Sequence, residues 1–260
     1  MSNSSSKLLI VANLVALIAT FIVNTYAGVL GLNGRTTGAI SDLYPVLITP
    51  PGYVFLIWTV IYFLLLAFAV YQALPSKVGA AFHQKISYYF ILSCAANMVW
   101  LFLWHWGYVV ISVVPMFLLL LCLIIIYIRL GIGKGKVPFV ERLAVHLPFS
   151  VYLGWITVAP IANVAAAFNS LGLDGLGLGD VTWTALVMAI AILITVVILF
   201  TRGDIAYSLV IIWALAGVAV KQSAIQTLVT TSIAGIVIIA LMLVAVTVLR
   251  MRGGSRRVER

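Results

Sequence analysis

Eight uninterrupted apolar runs constrain this chain more than any other feature. They lie at residues 8–30, 53–73, 87–106, 108–128, 147–168, 183–200, 205–220 and 227–249, and no acidic residue falls within them. A helix crossing a bilayer needs about twenty predominantly apolar residues, because in hydrocarbon it must satisfy its own backbone hydrogen bonds. Strands of a membrane barrel would instead alternate apolar and polar residues over about ten positions. The expected fold class is therefore all-α, a polytopic membrane helical bundle with about eight transmembrane helices. The seventh run is the shortest. Composition agrees: 64% of the 260 residues are hydrophobic and 8% are charged, against about a quarter charged in soluble domains. The first run follows a single Lys7, exceeds a signal-peptide core in length and precedes no small-x-small cleavage pattern, so it is read as a retained helix.

The net charge of +9 would suit a nucleic-acid partner, but the placement of the basic residues points elsewhere. Threading eight spans puts Lys7, Lys77, Lys85, Arg129, Lys134, Lys136, Arg142, Arg202 and the tail residues Arg250, Arg252, Arg256, Arg257 and Arg260 on one side. Arg35 and Lys221 remain on the other, so thirteen of the fifteen Lys and Arg residues share a side. By the positive-inside rule the N- and C-termini are expected in the cytoplasm. Each tail arginine near anionic headgroups contributes about 1 kcal/mol of attraction. The lipid bilayer is the expected partner; no nucleic acid is expected, because nothing near the basic residues offers stacking or base readout.

Cys94 and Cys122 both fall inside spans and read as small apolar packing residues. His83, His105 and His146 sit near three different helix ends, with no acidic or cysteine partner at ligand spacing, so no metal site is expected. The Gly- and Asp-containing segment LGLDGLGLGD at 171–180 separates five helices from three. It divides the chain into residues 1–169 and residues 170–260, the latter holding three further helices and the basic cytoplasmic tail.

The longest outer loop, residues 31–52, ends in Pro50-Pro51, a proline pair suited to starting a helix where a missing amide hydrogen costs nothing. Phe55, Trp58 and Tyr62 follow at i, i+3, i+7 and form one stripe of the second helix. Asn97, Trp100 and Trp104 repeat that spacing on the third helix, and Tyr152, Trp155 and Ala159 on the fifth, where Asn163 extends the stripe. An amide in hydrocarbon needs partners and faces the bundle interior, so Asn97 and Asn163 orient part of this aromatic surface inward. Trp104, His105 and Trp106, beside the turn at Gly107, are expected in the interfacial aromatic belt. The small residues Gly154, Ala159, Ala162 and Ala165 to Ala167 permit close helix approach, or leave space beside Trp155 for a flat ligand in an aromatic-lined pocket.

The runs TPPGYVFLIWTVIYFLL, AANMVWLFLW and LPFSVYLGWITVAPIAN resemble, in this order, the signatures of the translocator protein family, also called TspO/MBR or tryptophan-rich sensory proteins. The resemblance covers roughly residues 8–169, making 1–169 a TspO/MBR-like five-helix membrane domain. It implies five helices around a pocket capped by the first loop, which binds porphyrins, sterols and benzodiazepine-type ligands. By motif position, Pro50, Pro51, Phe55 and Trp58 match the loop end and the second-helix wall. Asn97 and Trp100 match the third-helix Asn-x-x-Trp, and Trp155 and Ala159 the fifth-helix wall. Trp58 and Trp155 correspond to tryptophans implicated in porphyrin breakdown in some bacterial members. Tyr53 stands where many members carry tryptophan. The stretch after Asn163 lacks the Tyr and Arg of the animal cholesterol-recognition motif. The three added helices resemble those of a longer prokaryotic branch, which implies a prokaryotic cell membrane. The family's habit of dimerising implies a homodimer.

Residues and resemblance together give the expected ligand-binding set Pro50, Pro51, Phe55, Trp58, Tyr62, Asn97, Trp100, Tyr152, Trp155 and Ala159. The expected function is binding an apolar, planar small molecule, with a tetrapyrrole as the candidate ligand and no cofactor required, in a sensory or regulatory role. The alternative is a small-molecule membrane transporter, although the spans lack the acidic residues of a proton relay. Third comes porphyrin degradation. No nucleophile–base pair is visible, no catalytic residue is assigned, and a non-enzymatic role is expected.

Overall fold

A computed structural model describes residues 3–173 and 175–255. Among them the expected bundle forms, with eight apolar helices: α1 (Asn3–Thr25), α2 (Ile57–Ala73), α3 (Tyr89–His105), α4 (Val109–Leu130), α5 (Leu147–Ser170), α6 (Asp180–Arg202), α7 (Ile205–Lys221) and α8 (Gln226–Ser255). Six are long and apolar enough to cross a membrane, whereas α3 and α7 are shorter apolar helices of 17 residues each. At 1.5 Å per residue these two span about 26 Å, at the lower limit for the hydrocarbon layer. The chain is an integral membrane protein of the all-α class.

The basic side chains gather at one end of the bundle. Arg129 donates to the Gln84 carbonyl at 2.7 Å and Arg202 to the Ile132 carbonyl at 3.0 Å, while Arg250 reaches the carbonyl of Arg202. Of the tail, Arg256, Arg257, Arg260 and the side chain of Arg252 lie outside the described residues, as does Asp174 in the segment between α5 and α6.

At the other end, α1 finishes in a π-helical turn (Tyr26–Leu30), and the outer loop then folds back over the helix ends. It contains a short helix, Thr37–Ser41, whose N-cap Thr36 accepts from the Ala39 amide at 3.2 Å. Pro51 is extended and caps a 3₁₀ turn, Gly52–Leu56, that leads into α2. The proline pair thus starts a helical segment by way of one tight turn.

α5 is the central helix, packed against α2, α4 and α7. α7 comes so close that a Cβ on Gly154 would lie 3.1 Å from the Tyr207 carbonyl oxygen and 3.0 Å from Val210 Cβ. A buried carboxylate fixes the start of α7. Asp204 accepts from Tyr127 Oη (α4) at 2.8 Å, from Ser150 Oγ (α5) at 2.6 Å and from the Tyr207 amide at 3.2 Å. Farther along, Gly217 sits on the outer loop: a Cβ there would lie 2.9 Å from Pro50 Cβ and 2.6 Å from Val54 Cγ2. Trp213 Nε1 donates to the Val54 carbonyl at 3.0 Å and Gln222 Nε2 to the Leu47 carbonyl at 2.9 Å. The three helices after the 171–180 segment are therefore joined to the first five along the whole length of α7.

Replacing Asp204 by Ala strands three donors and should destabilise the fold by about 3 kcal/mol. Asp204→Asn, which keeps a carbonyl acceptor, should cost about half of that. Chemical denaturation of the detergent-solubilised protein checks both values.

Candidate functional site

Beneath the outer loop lies a cavity with about 90 Å³ of space for the centres of water-sized molecules. Its roof is the loop itself: Thr37 and Ser41 from the short helix, then Ile48, Thr49 and Pro50. The 3₁₀ turn and the first turn of α2 bring in Phe55 and Trp58; α3 adds Trp100 and Trp104, and α4 adds Met116. α5 contributes Trp155 together with Ala159, Ala162, Asn163 and Ala166. The remaining wall comes from α6 (Val187, Met188, Ala191) and α7 (Ala214, Leu215, Val218). Among the described residues, no charged side chain lines the space.

Four tryptophans define its shape. Trp100 and Trp104 stack with centroids 6.0 Å apart at 26°. Trp58 meets Trp155 edge to face at 6.3 Å and 81°, and Phe55 meets Trp155 at 5.8 Å and 82°. Such offset and edge-on pairs are the favoured arrangements of aromatic quadrupoles.

The indole N–H groups have different fates. Trp100 Nε1 donates to Asn163 Oδ1 at 2.9 Å, and Asn163 Nδ2 donates to Ser112 Oγ of α4 at 3.0 Å. Asn163 therefore ties α3, α4 and α5 together and uses both halves of its amide. Trp104 Nε1 points to the Thr37 carbonyl at 3.4 Å. Trp155, only 3% exposed, has a buried Nε1 with no partner. Among the described lining residues it is the one buried side-chain polar atom so placed.

Of the residues singled out in the sequence, Pro50, Phe55, Trp58, Trp100, Trp155 and Ala159 converge on the cavity wall. Pro51 stands behind the roof as the cap of the 3₁₀ turn. Tyr62 stacks on Trp58 at 5.8 Å and Tyr152 meets Trp58 at 6.0 Å, so both support the wall from one turn deeper. Asn97 turns toward α1, where Asn24 Nδ2 donates to its Oδ1 at 2.6 Å.

The belt expected at 104–106 holds for one residue of three. Trp106 is 50% exposed, but Trp104 is 5% exposed and His105 is also buried. The cause is the folded-back loop: Asn33 Nδ2 donates to the His105 carbonyl at 3.0 Å, and Tyr44 packs on Trp104 at 5.8 Å. The small residues of α5 divide between two tasks. Gly154 admits α7, while Ala159, Ala162 and Ala166 border the cavity.

Sequence reasoning missed Met116 and every lining residue of α6 and α7. These are aliphatic residues in apolar helices, so no polar or aromatic mark distinguishes them. The available signal was Gly217, a small residue one turn from Ala214.

Fold and cavity together define a polytopic helical membrane protein with an uncharged, tryptophan-walled chamber under an outer loop. The chain belongs to the TSPO-like protein family, whose sequence pattern it matches over residues 10–246, from within α1 to within α8. No curated protein and no solved structure matches it.

Asn163→Ala should leave the Trp100 N–H without its acceptor, costing about 1–3 kcal/mol, and should shift tryptophan emission to the red as the indole loosens. Trp100→Phe should be milder, because Asn163 keeps Ser112. Thermal unfolding followed by intrinsic fluorescence reports both.

Proposed function

We propose that this TSPO-like membrane protein binds an apolar, planar small molecule, such as a tetrapyrrole, in the cavity under the outer loop, and that occupancy serves a sensory or regulatory role. The observation that carries this reading is the convergence of Phe55, Trp58, Trp100, Trp104 and Trp155 on one mainly apolar cavity under the loop; Trp155 also has a buried Nε1 without a partner. Buried donors are nearly always paired, and an unpaired one costs about 1–3 kcal/mol. A flat ligand in the cavity would lay its ring faces against Trp58, Trp100 and Trp155. Pockets of mainly apolar lining with few oriented polar groups are the usual form of small-molecule sites. The absence of a charge from the lining directs any ligand carboxylate toward the mouth and the outer loop. The basic end of the bundle faces the cytoplasm in this reading, so the loop that roofs the cavity lies on the opposite side.

Protoporphyrin added to the protein in lipid nanodiscs should quench tryptophan fluorescence saturably, with empty nanodiscs as the baseline. Trp58→Ala and Trp155→Ala should each weaken binding about tenfold, the loss of one aromatic contact of about 1.4 kcal/mol. Unchanged binding in both variants would remove the assignment.

A further inference from the structure

We propose that α6 and α7 are the selective wall of this cavity: Ala191 and Ala214 leave the space that the uncharged ring end of a flat polycyclic ligand occupies, and Met188 and Leu215 set its limits. The proposal rests on the ligand-binding reading above and adds to it which part of the chain measures the ligand.

The two sides of the cavity differ in kind. The 3₁₀ turn, α2, α3 and the Trp155 turn of α5 present Phe55, Trp58, Trp100 and Trp155, flat faces that accept any aromatic ring with little discrimination, and the rest of α5 adds small or aliphatic residues from Val158 to Ala166. The opposite side, from α6 and α7, is wholly aliphatic, and at Ala191 and Ala214 the side chain stops at Cβ. Between a fixed aromatic face and an aliphatic face, the depth open to a ligand is set by side-chain volume on the aliphatic side. Closely packed interiors respond to a change of even one methylene.

A selective wall must also hold its position, and α7 is held at three levels. Its first turn is fixed by the Asp204 carboxylate, which accepts from Ser150 and Tyr127. Its second turn, at Tyr207 and Val210, lies on Gly154 of α5. Its middle and last turns are tied to the roof through Trp213 to Val54, Gln222 to Leu47, and Gly217 against Pro50. Pro50 itself lines the cavity, so the same contacts that fix the wall fix the roof.

The test uses the full chain in lipid nanodiscs and two uncharged probes, protoporphyrin dimethyl ester as the large one and 1-acetylpyrene as the small one. Both are read by saturable loss of tryptophan emission over empty nanodiscs. Ala214→Phe and Ala191→Phe should weaken the large probe by at least about tenfold and the small one by less than about threefold, the size of a small change in apolar contact. Met188→Ala and Leu215→Ala change the wall in the opposite direction and keep the test decisive should the bulky variants not fold. They should raise the ratio of large-probe to small-probe affinity by at least about threefold. An unchanged ratio in Met188→Ala and Leu215→Ala, with binding still lost in Trp58→Ala, would overturn the selective wall and leave the ligand-binding reading standing. No saturable binding of either probe to the unaltered protein would overturn both.

Discussion

A single carboxylate at the head of α7 holds the C-terminal helices in place. An acidic side chain in apolar surroundings demands donors, and Asp204 finds them on two other helices, Tyr127 of α4 and Ser150 of α5, besides the amide of Tyr207. That junction aligns α7 with α5, and the missing side chain at Gly154 lets the two backbones close up. Once α7 stands there, its far end meets the outer loop and its flank becomes cavity wall. The chamber, its roof and its aliphatic side follow from the one placement.

The tryptophans separate into framework and contact groups by what their indole nitrogens do. Trp100 and Trp104 are held by Asn163 and by the loop backbone, so their rings are set before any ligand arrives. Trp155 is positioned by packing alone, between Phe55 and Trp58, and its nitrogen is left over.

Much of this was legible in the sequence, for reasons that differ between elements. The eight helices announce themselves because hydrocarbon permits few alternatives. Asn163 was readable as inward-facing because an amide stands out in an apolar run, and the spacing of Trp58, Trp100 and Trp155 placed each on one stripe. Trp104 and His105 were misjudged because their burial depends on Asn33 and Tyr44, residues of a loop whose course no periodicity encodes. Asn97 has the inward orientation that its type requires, but toward α1 and away from the cavity. Ala191, Ala214 and Leu215 carry no chemical mark at all. Their place in the wall is a property of helix packing.

The roof contacts also order events during synthesis. Leu47 and Gln222 are 175 residues apart in the chain, and Val54 and Trp213 are 159 apart. Pairings so distant in sequence form late, after the intervening chain has been made and the entropy of closing the loop overcome. Until α6 and α7 are made, the cavity lacks the lining residues that these two helices supply. The cavity of this chain is in this sense a product of chain completion, because part of its wall comes from α6 and α7.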